Sequence, residues 1–206
     1  MALVERKVVL RNISWSLYQQ LQTAKGETSS PRFAYDQGLL EITLPSAEHE
    51  IANRALAQIF ETISEELDID YTNAGSTTFD REDLEKALEP DTCFYVEQAD
   101  VMRGKKRIDP LTDPPPELVI EVDVSSASLN KLPIYASLGV REIWRWRQSG
   151  VTILRLEQGA YHQQQTSVVL PGITSEQLTH LLEASQQMKR KDWLREVRAV
   201  GHTLTT

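Results

Sequence analysis

The sequence predicts a single α/β domain, of the α+β kind with a mixed sheet, extending over residues 1–206. Three observations carry that expectation. Residues 46–67 place Ile51, Ala55, Leu56, Ile59, Phe60, Ile63 and Leu67 at helical spacing, giving one long helix with an apolar face. The run LVIEVDV at 118–124 is almost continuously β-branched, as in a central strand buried on both faces. FAYDQGLLEITL at 33–44 alternates on both sides of Asp36-Gln37-Gly38, the pattern of an N-terminal β-hairpin. The expected core covers about 33–147, with a further strand pair and helix in 148–206.

The remaining elements follow in chain order. Residues 13–22 read as a short helix with Ser14 as N-cap, and Gly26, Ser29, Ser30 and Pro31 form a loop. The long helix begins at Ser46, with Glu48 and Glu50 in its first turn where the helix dipole favours acids. On the helical wheel Glu48 and His49 fall beside the apolar stripe and Glu50 opposite it, so Glu50 is expected to face water. YTNAGSTTF at 71–79 is a strand candidate, and DREDLEKALE at 80–89 a charged segment. Pro90-Asp91 opens the strand TCFYV, followed by a polar, basic loop over 97–110 and a proline-rich stretch that suits neither helix nor central strand. After LVIEVDV a helix is expected from Ser128 to Leu138, ended by Gly139. REIWRW and VTILRL form two strands joined across Gln148-Ser149-Gly150. A last strand pair at 161–170 leads to a helical C-terminus. Trp144 and Trp146 share a strand face with Glu142 and are expected to fill or edge the core.

Composition excludes several classes. No apolar run is long enough to span a bilayer, and the N-terminus lacks the basic-then-apolar order of a signal peptide. The one cysteine, Cys93, excludes an intramolecular disulfide and a Cys-rich zinc site, so the cytoplasm is the expected location. A net charge of −8 argues against a protein that coats nucleic acid, but not against one that touches it through a local basic strip. Lys105, Lys106 and Arg107 make one such strip with Arg103. Lys189, Arg190, Lys191, Arg195 and Arg198 alternate with Asp192 and Glu196, as on a solvated helix.

The informative chemistry is a set of acids in strands. Glu121 lies among Val119, Ile120 and Val122, where an unpartnered ion is costly, and Asp123 points to the same side. Asp91, at the start of another strand, is a further candidate ligand. A hard divalent cation relieves such a cluster. Acids that are simply solvated or paired with arginine at strand ends are the ordinary alternative.

Several stretches resemble the Uma family of restriction endonucleases, within the PD-(D/E)XK nuclease superfamily. They are Tyr35-Asp36-Gln37-Gly38-Leu39-Leu40-Glu41-Ile42, Pro45-Ser46 with His49-Glu50, Pro90-Asp91, and PPELVIEVDVSSASLNKLPIYASLGVREIWRW. The resemblance covers most of 33–147. It implies a restriction-endonuclease-like core, a long N-terminal helix packed on a mixed sheet, in which Asp91 and Glu121 meet at one magnesium or manganese ion. The sequence departs from the superfamily signature at Asp123, where lysine is expected. Lys131 matches the position of a lysine that the Uma pattern carries on the following helix.

The resemblance also implies roles. Asp91 and Glu121 bind the metal, Asp123 adds an outer contact, and Lys131 orients the attacking water or stabilises the developing phosphorane charge. Glu48 is assigned to the metal and His49 to the catalytic set, and either can hold a metal-bound water. Which of the two faces the site stays open, and capping or a core hydrogen bond is the alternative for His49. Tyr135, one turn beyond Lys131, is read as packing. Lys105, Lys106 and Arg107, joined by Arg141 and Arg145, would contact DNA phosphates. Cleaving both strands of a duplex favours a homodimer. A nuclease-fold binding protein without efficient catalysis and a hydrolase of another phosphoester are the competing functions.

Overall fold

The computed structural model describes residues 5–26, 28–124 and 129–204. Two sheets face each other. The first is antiparallel, with strands β1 (Arg6–Leu10), β2 (Arg32–Asp36), β3 (Leu39–Leu44), β5 (Phe79–Arg81) and β6 (Lys86–Leu88) in the order β1-β3-β2-β6-β5. The second contains β4 (Thr72–Gly75), β7 (Thr92–Tyr95), β8 (Leu118–Val122), β9 (Glu142–Arg147), β10 (Gly150–Glu157) and β11 (Ala160–Gln164), in the order β11-β10-β9-β8-β7-β4. It is mixed, because β8 and β9 run parallel while its other pairs are antiparallel.

The predicted hairpin is β2–β3. Gln37 (φ 45°) and Gly38 (φ 93°) both take positive φ, as its two-residue turn requires. The long helix, α2 (Ala47–Glu66), starts at Ser46, whose hydroxyl accepts from the His49 N–H at 3.2 Å. The short first helix, α1 (Trp15–Lys25), is capped in the same way by Ser14. Helix α4 (Leu132–Leu138) has Lys131 as its N-cap and ends at Gly139 in the left-handed region. Its expected start at Ser128 lies outside the described residues.

Strand alternation sorts the side chains into layers. Phe33, Tyr35 and Leu40 pack on Trp15 and Tyr18 of α1, on the outer face of the first sheet. The opposite face of that sheet turns towards the second sheet, where Ala34, Phe79 and Leu88 join Cys93, Val119, Ile143 and Tyr135 in a shared core. The far side of the second sheet carries Leu118, Ile120, Val122 and Trp144. These pack against α2, α5 (Ser175–Gln187) and α6 (Arg190–Leu204). The central strand β8 is therefore buried on both faces, as its composition predicts.

Three expectations need correction, and one strand was not foreseen. Residues 71–79 do not form one strand, because β4 joins the second sheet and β5 the first. The charged segment 80–89 contains β6, whose three residues are too few to show a period, yet Ala87 and Leu88 are fully buried between β2 and β5. RKVVL, near the N-terminus, is the edge strand β1. The strand pair expected at 161–170 is one strand, β11, because the chain beyond it is held by a side chain instead. The carboxylate of Glu142, with no exposed surface, accepts from Trp144 Nε1 at 2.8 Å, Ser167 Oγ at 2.5 Å and the Val168 N–H at 2.8 Å.

That buried acceptor yields a test. Glu142→Ala strands three donors and is expected to lower the unfolding free energy by about 3 kcal/mol or more, with a smaller loss for Glu142→Gln. Urea unfolding of the two variants checks it, and an unchanged midpoint in Glu142→Ala would show that the network carries little stability.

Candidate active site between the two sheets

The acids singled out in the sequence lie where the two sheets face each other. The register Thr92↔Ile120 sets Asp91, one residue before β7, across from Glu121 on β8. Both side chains point towards the first sheet, on the face of Cys93 and Val119. From that sheet, Arg32 and Glu41 point back, on the same face as Ala34. All four side chains are buried.

Both carboxylate oxygens of Asp91 are engaged by protein groups. Its Oδ2 accepts from the Val122 N–H at 2.7 Å, which pins the start of β7 to the end of β8. Its Oδ1 accepts from Arg32 Nη1 and lies 3.0 Å from His49 Nε2. His49 Nδ1 in turn lies 3.0 Å from Glu5 Oε1. Arg32 Nη1 and His49 Nε2 are only 2.9 Å apart, and the carboxylate they share offsets their repulsion. Arg32 Nη2 also donates to Glu50 at 2.9 Å, so Glu50 reaches the edge of the site while its side chain stays 38% exposed. Burial pushes the Asp91 carboxyl up, but His49 and Arg32 outweigh it and hold it ionised well below the usual range. Burial pushes His49 down, and its hydrogen bonds to Asp91 and Glu5 more than reverse this, raising its pKa to about 9.

Glu121 has a different set of partners. Lys131 Nζ donates to its Oε2 at 2.8 Å, and the Tyr135 hydroxyl donates to its Oε1. Tyr135 is thus more than packing. Burial raises the Glu121 pKa, Lys131 opposes the rise, and the charge of Asp91 adds to it. Burial disfavours the Lys131 ammonium, but Glu121 and Asp91 hold it well above the ordinary lysine value. A cavity of about 270 Å³ adjoins this pair and includes Glu41, Glu121, Asp123, Lys131, Arg145 and Arg147 in its wall. Asp91 does not line it, and opens instead on a broader groove with Arg32 and Asn53.

The other residues expected at the site fall as follows. Asp123 lies just beyond β8 and pairs with Arg147 at 3.3 Å. Glu48 is corrected: it is exposed, because the helical rotation that buries His49 turns its neighbour outward. Lys105 is tied to Asp113. Lys106 and Arg107 are exposed and line a separate groove with Lys25 and Asp80, away from Glu121. Arg141 precedes β9, at the end opposite Arg145, and donates to Glu97 at 2.5 Å. Two functional candidates, Arg32 and Glu41, were not singled out in the sequence. Glu41 carries the signal that exposed Glu121, an acid among Leu40, Ile42 and Leu44. Arg32 has no such signal, since an arginine after Pro31 reads as a loop residue.

The donor chemistry suits a hard divalent cation, since Asp91, Glu121, Glu41 and Asp123 offer only carboxylate oxygens. Among the described residues no three His, Cys, Asp or Glu groups already converge as a coordination sphere. Protein donors engage both oxygens of Asp91 and of Glu121.

The raised pKa of His49 fixes the sign of a pH effect. A folded-state pKa above the ordinary 6.5 means that its ion pairs stabilise fully below about pH 6.5, and the contribution is lost as pH rises through about 9. Urea unfolding in EDTA at pH values across that span should show wild-type stability falling and a flatter profile in His49→Gln. Parallel profiles would count against a charged histidine here.

Comparison with known proteins agrees with this architecture. No curated protein sequence matches the chain. Among solved structures, a crystal structure from Anabaena variabilis, titled a putative nuclease belonging to DUF820, superposes with a TM-score of 0.57 at 12% identity. The match covers 82% of this chain and 99% of that one, and it shows a shared fold. Residues 15–188 match the Uma2 family, described as "Putative restriction endonuclease". With most of its length matched, including every strand but β1, this chain belongs to the Uma2 family.

Proposed function

We propose that this protein is a metal-dependent endonuclease that hydrolyses phosphodiester bonds in DNA. The observation that carries the reading is the 2.8 Å contact between Lys131 Nζ and Glu121 Oε2. The superfamily signature places its lysine on the strand, where this chain has Asp123. Here an ammonium reaches the strand glutamate from the cap of α4. Family membership and the nuclease-like fold support the same reaction class.

Asp91 and Glu121 would hold magnesium or manganese, with Glu41 as a further oxygen donor. The ion would supply Lewis acidity at the phosphate and a water of lowered pKa. The chain's own groups do the rest. Lys131 keeps its proton at Nζ, orients the attacking water and stabilises negative charge developing on the phosphoryl oxygens. Tyr135 fixes the rotamer of Glu121 through its hydroxyl. Arg32 and His49 hold Asp91 ionised and fix its orientation, so His49 acts as a positioning residue. Lys106 and Arg107 on the exposed loop would contact backbone phosphates farther along the DNA. Two copies related by a two-fold axis would present one site to each strand.

Plasmid nicking tests the reading. Wild-type protein should nick DNA with magnesium or manganese and not with EDTA. Glu121→Gln and Lys131→Met should each lower the rate by about 100-fold or more in protein that circular dichroism shows to be folded, and Lys131→Arg by less. Undiminished cleavage by a folded Lys131→Met variant would place the site elsewhere. DNA binding with no cleavage under any metal would favour a nuclease-fold binding protein.

A lysine–tyrosine pair on one carboxylate gives a second expectation. Tyr135→Phe removes a donor to Glu121 without changing ring packing, so it should reduce the cleavage rate while leaving DNA affinity within about twofold. Single-turnover rates and binding isotherms separate the two quantities, and an equal loss in both would assign Tyr135 to binding.

A further inference from the structure

Arg145 is the cation at the small cavity that the site described above leaves unused. Lys131 is committed to Glu121, and Arg147 to Asp123 at 3.3 Å. Arg145 forms no ion pair or hydrogen bond among the described residues, and its Nε is buried without an acceptor. Its residue is half-buried, and burial together with the charge of Arg147 lowers its pKa. Part of this guanidinium is out of water, and no hydrogen bond among the described residues replaces that hydration, while the charges of Asp123 and Glu121 act on it.

Its position is set by the sheet. Arg145 stands opposite Glu121 in the parallel register of β8 and β9, and it lines the same 270 Å³ cavity. Adjacent strands lie about 4.8 Å apart, so an anion on Arg145 sits next to the Glu121 carboxylate and the Lys131 ammonium. Arg147 follows two residues on, on the same face. A planar fork beside a second guanidinium suits an oxyanion with several acceptor oxygens, and phosphate above all.

We propose that Arg145, flanked by Arg147, forms an anion subsite that takes one backbone phosphate of the nucleic acid alongside Glu121. Identifying the anion as a nucleic-acid phosphate rests on the nuclease reading, whereas the subsite itself does not. It gives the small cavity a role separate from that of the exposed Lys106–Arg107 strip, which lines another groove.

The test uses binding in EDTA, where no cleavage is expected. Inorganic phosphate titrated into the full chain and followed by ³¹P NMR should bind saturably. Arg145→Gln should weaken that binding by about tenfold or more. Arg145→Lys, which keeps the charge but loses the fork, should fall between, and it decides the matter if Arg145→Gln does not fold. Arg155→Gln, on the next strand and outside the cavity wall, should bind as wild type does. Glu121→Gln should retain phosphate binding even where cleavage is lost. An oligonucleotide with an ordinary backbone should displace phosphate, and one with an uncharged methylphosphonate backbone should not. Absence of saturable binding in wild type, or equal affinity in folded Arg145→Gln or Arg145→Lys protein, overturns the subsite. Displacement by the uncharged oligonucleotide overturns its assignment to a backbone phosphate. Arg145-dependent phosphate binding in a protein that cleaves no DNA under any metal keeps the subsite and overturns the nuclease reading alone.

Discussion

A carboxylate buried between two sheets has to be surrounded by donors, and in this protein that requirement at Asp91 ties separate parts of the chain together. One oxygen takes the Val122 N–H and fixes β7 against the end of β8. The other is shared by Arg32 from the first sheet and His49 from the first turn of α2. Glu5 then holds the far nitrogen of His49. Removing one partner of such a cluster leaves an uncompensated buried ion, the costly outcome, whereas the intact cluster contributes modest net stability. The cluster therefore matters more for where its members stand than for how tightly the fold is held.

Glu121 illustrates the same constraint with a different solution. Its neighbours on β8 are fully apolar, and the rise in pKa that burial causes is opposed by Lys131, just before α4, and by the Tyr135 hydroxyl in its first turn. Lys131 is the cap residue, with Pro133 setting the helix start behind it. A lysine at the helix entrance reaches a strand carboxylate because its side chain is long enough to return to the strand the chain has just left.

The net charge of −8 takes on a different meaning once the charges are located. Several acids are interior and matched by Arg32, His49 and Lys131, so they say little about the surface. The basic strip at the C-terminus is matched in part, with Arg195 on Asp192 and Arg198 on Glu66. The 105–107 strip is only partly so, because Lys105 is held by Asp113 while Lys106 and Arg107 are exposed. Each such pair cancels within itself, so the net negative charge stands on the remaining groups, and an approaching polyanion meets local relief only where exposed cations such as Lys106 and Arg107 stand.

Much of the architecture was legible in the residues because the signals were long. Twenty residues of helical period made α2 evident, a β-branched run made β8 evident, and Gln37-Gly38 between alternating strands made the hairpin evident. Three-residue strands such as β6 carry no period, and the assignment of β4 and β5 to different sheets depends on contacts remote in the chain. Among site residues, Glu121 and Asp91 stood out because an acid in or beside an apolar strand is locally anomalous, and Lys131 through its place in a family pattern. Arg32, Glu41 and Tyr135 did not, since each is ordinary in its own segment and is made functional by a partner from elsewhere. The choice between Glu48 and His49 was likewise undecidable from a helical wheel that put both beside the stripe. The sequence by itself determined which elements form and which acids need explaining, because those follow from periodicity and from the cost of burying charge. Only the tertiary structure decided which cation answers each acid, and that Asp91 and Glu121 open on different cavities, because those depend on how two sheets and two helix ends meet in space.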